Sequence, residues 1–135
     1  MLNVGIYIFD DVEVLDFCGP YSVFSSANKL SREKYFNIFL ASDNKEWITT
    51  QNGITVRADR FIGDLEQADI LAVPGGRGSR HDSAHEQICG FIKKKHDSLR
   101  YLLSVCTGAL ILARTGLLAG KQSPRIKIRL ICSGK

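Results

Sequence analysis

Val4 to Phe9 reads VGIYIF, six apolar residues with no polar position between them. A strand with one face in water alternates apolar with polar residues. A strand without that alternation has to be covered on both faces, and a parallel sheet sandwiched between layers of helix is the usual solution. Phe36–Ala41 (FNIFLA), Ile70–Val73 (ILAV) and Tyr101–Val105 (YLLSV) have similar length and character, and helical patterns separate them.

Pro20 stands where helices like to begin, after an acidic, turn-rich stretch at Asp10–Gly19. It is followed by Tyr21, Val23, Phe24, Ala27 and Leu30, which predicts a first helix. Ser83 with Glu86 three residues on has the form of a capping box, heading a helix to about Lys95 that buries Ile88, Cys89, Phe91 and Ile92. Thr107–Leu112 (TGALIL) predicts a third helix, ending near Gly116. Asn52 and Gly53 lie between Trp47–Thr50 and Ile54–Val56 and predict a hairpin, read here as a surface appendage. The alternation of strands and helices implies an α/β fold, a parallel sheet with helices on both faces.

Composition excludes several classes of function. With 44% hydrophobic and 24% charged residues and no long apolar run, the chain is ordinary for a globular domain and does not read as membrane-spanning. The start lacks the pattern of a signal peptide, so a cytoplasmic location is expected. The net charge of +4 suggests a nucleic-acid partner until its location is noted: residues 1–121 are balanced, and the excess sits in Arg125, Lys127, Arg129 and Lys135. Neither a nucleic-acid nor a membrane partner is therefore expected. Cys18, Cys89, Cys106 and Cys132 form no CxxC pair and have no histidine at ligand spacing, which points to free thiols rather than zinc or disulfides.

Cys106 falls at the break between the fourth strand and the helix after it. A side chain at such a turn stands proud of the sheet over the free amides of the helix's first turn, and such amides favour an anionic, nucleophilic sulfur. The plain alternative is an inert interior cysteine. Asp16 reads on its own as a turn or capping acid, and Gly75 and Gly76 as an ordinary turn whose backbone can approach a ligand closely. His81 and His85 read as surface residues, and no role is assigned to Cys18.

The segment Ser104–Lys121, SVCTGALILARTGLLAGK, resembles the nucleophile segment of isonitrile hydratases and related proteins of the DJ-one/PfpI superfamily. The strand ending at Phe9, LDFCGP (Leu15–Pro20) and VPGGRG (Val73–Gly78) match the family in order and spacing. The resemblance covers Leu2–Lys121. It implies a flavodoxin-like sheet, Cys106 as nucleophile, Asp16 as its proton-exchanging carboxylate, and Gly75, Gly76 and the Thr107 amide as an anion-stabilising pocket. The Thr107 hydroxyl would hold water or substrate. It further implies a small-molecule substrate, no metal or organic cofactor, and a homodimer for the intact family. The implied reaction adds water to an isonitrile to give an N-substituted formamide. Deglycase- or glyoxalase-like chemistry and a ligand-sensing role, as in AraC-type regulators, are the alternatives.

Residues 122–135, QSPRIKIRLICSGK, do not resemble the family's continuation. They are expected to lie outside a partial family domain at 1–121, as a shifted reading frame would leave them. The period-two alternation of Arg125–Ile131 also fits a basic edge strand.

Overall fold

The structure, a computed structural model, describes residues 1–117 and, for their backbone, residues 127–131. Lys121, the expected end of the family domain, and residues 122–126 and 132–135 of the basic tail, Cys132 among them, lie outside the described residues.

Strands β1 (Leu2–Tyr7) and β2 (Phe36–Ser42) are followed by a hairpin of β3 (Trp47–Thr49) and β4 (Thr55–Arg57), then by β5 (Arg60–Phe61), β6 (Ile70–Val73), β7 (Tyr101–Val105) and β8 (Lys127–Ile131). Apart from the antiparallel hairpin, all join one sheet of order β5-β2-β1-β6-β7-β8, with every neighbouring pair parallel. Among the described residues, three α-helices join them: α1 (Val14–Leu30), α2 (Glu86–Lys95) and α3 (Gly108–Ala113). The chain steps from β1 to β2 in one direction and from β6 to β7 in the other. Right-handed crossovers therefore place α1 and α2 on opposite faces of the sheet. The order around β1 is that of flavodoxin-like sheets.

The VGIYIF run lies where its composition requires. Ile6 and Tyr7 point to opposite faces, yet both are fully buried, as are Val4 and Ile8. Leu71, Leu102, Ile88, Ile92, Ile111 and Leu112 continue the same core. The segment Lys127–Ile131 pairs in register with Tyr101–Val105, so its backbone forms the edge strand that its alternation allows.

Four local expectations are corrected. Helix α1 starts at Val14, six residues before Pro20, and Pro20 lies inside it. The Glu13 side chain caps the helix by accepting from the Leu15 amide, and Phe17 is buried from its first turns. These contributions outweigh the missing hydrogen bond that proline imposes on a helix interior. The Ser83–Glu86 capping box does not form: Asp82–His85 is a 3-10 turn, and α2 begins at Glu86 without a side-chain cap. The hairpin is not an appendage, since Ile48 and Thr50 are buried and its turn docks on the start of α1. His85 is not a surface residue. It is fully buried and packs edge-on against Tyr7 and Phe9.

Candidate active site

The order of strands reverses between β1 and its two neighbours, and in open α/β sheets the crevice at the carboxyl ends beside that reversal is where ligands bind. The loop after β1, the glycine loop after β6 and the turn after β7 meet there. An open pocket of about 460 Å³ lies among them, with Asp16, Gly76, Cys106 and Thr107 in its wall.

Cys106 occupies the turn itself. Its φ is 52°, in the left-handed region that costs a non-glycine residue about 1–2 kcal/mol. The conformation swings the side chain out of the line of β7, and the cysteine is exposed. The other described cysteines differ from it. Cys89 is buried, donates its thiol to the Ile111 carbonyl at 3.6 Å, and is held above the usual thiol pKa by that burial. Cys18 is on the exposed side of α1, and partial desolvation pushes its pKa up as well.

Asp16 lies in the first turn of α1, only 8% exposed, and its Oδ2 accepts a hydrogen bond from the Gly75 amide at 3.2 Å. Desolvation raises its pKa above the ordinary aspartate value. The Gly75 hydrogen bond opposes that shift and the nearby Glu13 charge adds to it.

Gly76 donates its amide to Thr107 Oγ1 at 2.9 Å, and Ser79 Oγ lies 3.0 Å from the same hydroxyl. Both glycine amides thus already donate within the protein, one to Asp16 and one to Thr107. A Cβ on Gly75 would come within 2.4 Å of Thr107 Oγ1 and 2.7 Å of the Thr107 amide nitrogen, so a side chain is excluded there.

The structure brings Asp16, Gly75, Gly76, Cys106 and Thr107 together, and it adds residues that the sequence did not single out. Gln51, from the hairpin turn, hydrogen-bonds Glu13 Oε2 through its Nε2 and accepts from the Arg77 amide at 2.8 Å. It joins the cap of α1 to the loop after Gly76. Arg77 and Arg80 also line the pocket. Among the described residues, no group of histidine, cysteine or acidic side chains is placed to hold a metal ion. No described helix is long and apolar enough to cross a membrane.

Residues 3–125 match the model of the DJ-1/PfpI family. The chain belongs to the DJ-1/PfpI family. Among its DJ-1/PfpI relatives, isonitrile hydratase of Pseudomonas putida is 32% identical over 122 residues, 90% of this chain but 51% of that enzyme. The chain thus spans about half the length of that relative. A deglycase of Pyrococcus horikoshii is 28% identical over 131 residues, 93% of this chain and 73% of the enzyme. A ThiJ/PfpI family protein from Pseudomonas syringae superposes with a TM-score of 0.77 at 18% identity, covering 96% of this chain and 62% of that one. This last likeness is one of fold.

Proposed function

We propose that the Cys106 pocket adds water to an isonitrile and releases an N-substituted formamide. The observation that carries this reading is an exposed thiol on a strand-to-helix turn sharing one pocket with a buried carboxyl whose pKa is raised. A carboxyl in that state keeps a proton available nearer neutrality than an ordinary aspartate does. The 32% identity to an isonitrile hydratase supports the same reaction.

The Cys106 thiolate attacks the terminal carbon of R–N≡C, and the Asp16 proton goes to that carbon, leaving the thioimidate R–N=CH–S–Cys. Water then adds to the carbon. Asp16 takes one proton from it and passes that proton to the nitrogen. The adduct R–NH–CH(OH)–S–Cys collapses as the hydroxyl proton returns to Asp16 and the thiolate departs, giving R–NH–CHO. In this reading Gly75 and Gly76 fix Asp16 and Thr107 through their amides. The Thr107 amide, packed against Gly75 beside the turn, supplies charge stabilisation.

The test follows formamide appearance by NMR with an alkyl isonitrile as substrate, alongside a glyoxal-type carbonyl as the competing substrate. Cys106→Ser should abolish turnover, and Asp16→Asn should lower it by about 100-fold or more. Equal formamide production by the wild type and Cys106→Ser would remove the reading, and turnover of the carbonyl alone would replace it.

A further inference from the structure

Arg77–Arg80 forms a 3-10 turn immediately after Gly76. With three residues per turn, positions i and i+3 eclipse, so Arg77 and Arg80 share one face and Gly78 and Ser79 turn away from it. Gly78 and Ser79 are buried, while both arginines line the Cys106 pocket.

The turn is fixed from behind. The Gly78 carbonyl is bonded by His85 Nε2 at 2.7 Å. Ser79 Oγ donates to the Gly76 carbonyl at 2.6 Å and lies 3.0 Å from Thr107 Oγ1. The arginines are therefore presented on the same short rigid piece that seats Thr107 next to Cys106.

Their charges are not consumed locally. None of the ion pairs among the described residues uses Arg77 or Arg80. Arg77 Nη2 donates to the Gln51 carbonyl at 3.1 Å, a neutral acceptor that anchors it. Arg80 has no acceptor for its guanidinium among the described residues. Of the two acids in the pocket wall, Glu13 is turned to the Gln51 amide and Asp16 to the Gly75 amide. A planar guanidinium that lines the same pocket as the nucleophile, and that has no acceptor of its own among the described residues, is suited to a carboxylate, which it can meet with two parallel hydrogen bonds.

We infer that the electrophile accepted at Cys106 carries a carboxylate, and that Arg80 is the residue that recognises it. This rests on Cys106 being the nucleophile of the pocket, and it narrows the proposed substrate to isonitriles bearing an acid group.

The test needs no turnover. The full chain is alkylated with iodoacetate or with iodoacetamide, reagents of similar size that differ in charge, and peptide mass spectrometry follows each thiol. Exposed Cys18 is the internal reference. The iodoacetate-to-iodoacetamide rate ratio at Cys106 should exceed that at Cys18 by about three- to fivefold, the range expected of one partly exposed charge pair. Arg80→Gln should bring the ratio to the Cys18 level, as should salt at roughly 0.5 M, where the screening length shrinks to a few ångströms. Arg80→Lys should keep most of it. Equal ratios at the two thiols, or no change in Arg80→Gln, would overturn the inference. Failure of Cys106 to react with either reagent would overturn the nucleophile reading along with it. A preserved ratio in a protein that does not hydrate isonitriles would uphold the charge preference and discard only the reaction.

Discussion

The Asp16 carboxylate and the Gly75 amide, 59 residues apart in sequence, are joined by a hydrogen bond of 3.2 Å that ties the first turn of α1 to the glycine loop after β6. This bond holds the carboxyl in a desolvated place, and desolvation outweighs it in setting the pKa, which is raised. The folded protein therefore binds the Asp16 proton more tightly than the unfolded chain. The resulting stabilisation is complete below the unfolded aspartate pKa and is lost as pH rises through the raised folded value. Asp16→Asn keeps an acceptor for the Gly75 amide and removes the titration. Its melting temperature should exceed that of the wild type at pH 7, and the difference should vanish below about pH 4. Thermal melts across that range check this; a variant less stable than the wild type at pH 7 would contradict it.

Gly75→Ala tests the closeness of the glycine loop to the turn after β7. Its Cβ would press on the Thr107 hydroxyl and, at 2.7 Å, on the Thr107 backbone nitrogen, which cannot rotate away. Denaturant unfolding should show a loss of about 1–3 kcal/mol. Thr107→Ala in the same background should recover only part, because the backbone contact stays. Full recovery would mean that the hydroxyl alone set the spacing.

The strand-to-helix position of Cys106 was legible because it depends on two short, strongly patterned neighbours, YLLSV and TGALIL. The parallel sheet was legible because unbroken apolar runs such as VGIYIF have few other homes. What escaped depended on contacts distant in sequence. Pro20 is a strong local sign of a helix start, but the actual start is set by the Glu13 cap and by the burial of Phe17. His85 looked like a surface residue because nothing near it in sequence reveals Tyr7, 78 positions away. Arg77 and Arg80 were visible as residues. Their common face follows only once RGSR is known to be a 3-10 turn, a reading that the preceding glycines could have prompted.

Gln51 links three parts of the site, and its removal should separate binding from chemistry. Gln51→Ala deletes the side-chain bonds to Glu13 and to the Arg77 amide but leaves its own backbone bonds to Val12 and Arg77. A stability loss of about 1 kcal/mol is expected. Because Arg77 and the cap of α1 would lose a shared anchor while Cys106 and Asp16 keep theirs, KM for the isonitrile should rise with little change in kcat. Steady-state kinetics decide this, and a fall in kcat at constant KM would assign Gln51 a different part.

Tyr7 is not among the residues that line the Cys106 pocket, yet it supports the wall that carries Arg80. Its hydroxyl is 2.8 Å from His85 Nδ1, and the His85 Nε2 bond to the Gly78 carbonyl requires the hydrogen on Nε2. The phenol carries a single proton and is hydrogen-bonded to the Asp43 carboxylate as well as to His85 Nδ1, so it joins the two groups. Burial, reinforced by the Asp43 carboxylate, holds the phenol far above its ordinary pKa, so the donor stays protonated at any working pH. Tyr7→Phe removes the hydroxyl from both His85 Nδ1 and the Asp43 carboxylate and should cost about 1–3 kcal/mol in denaturant unfolding. The effect should also reach the pocket. With one hold on the His85 ring removed, the Gly78–Ser79 segment loses part of its rear support, and the iodoacetate preference at Cys106 should weaken in a variant whose arginines are both intact. A Tyr7→Phe protein that loses stability but retains the full preference would show that Ser79 and Thr107 are enough to hold the turn without His85.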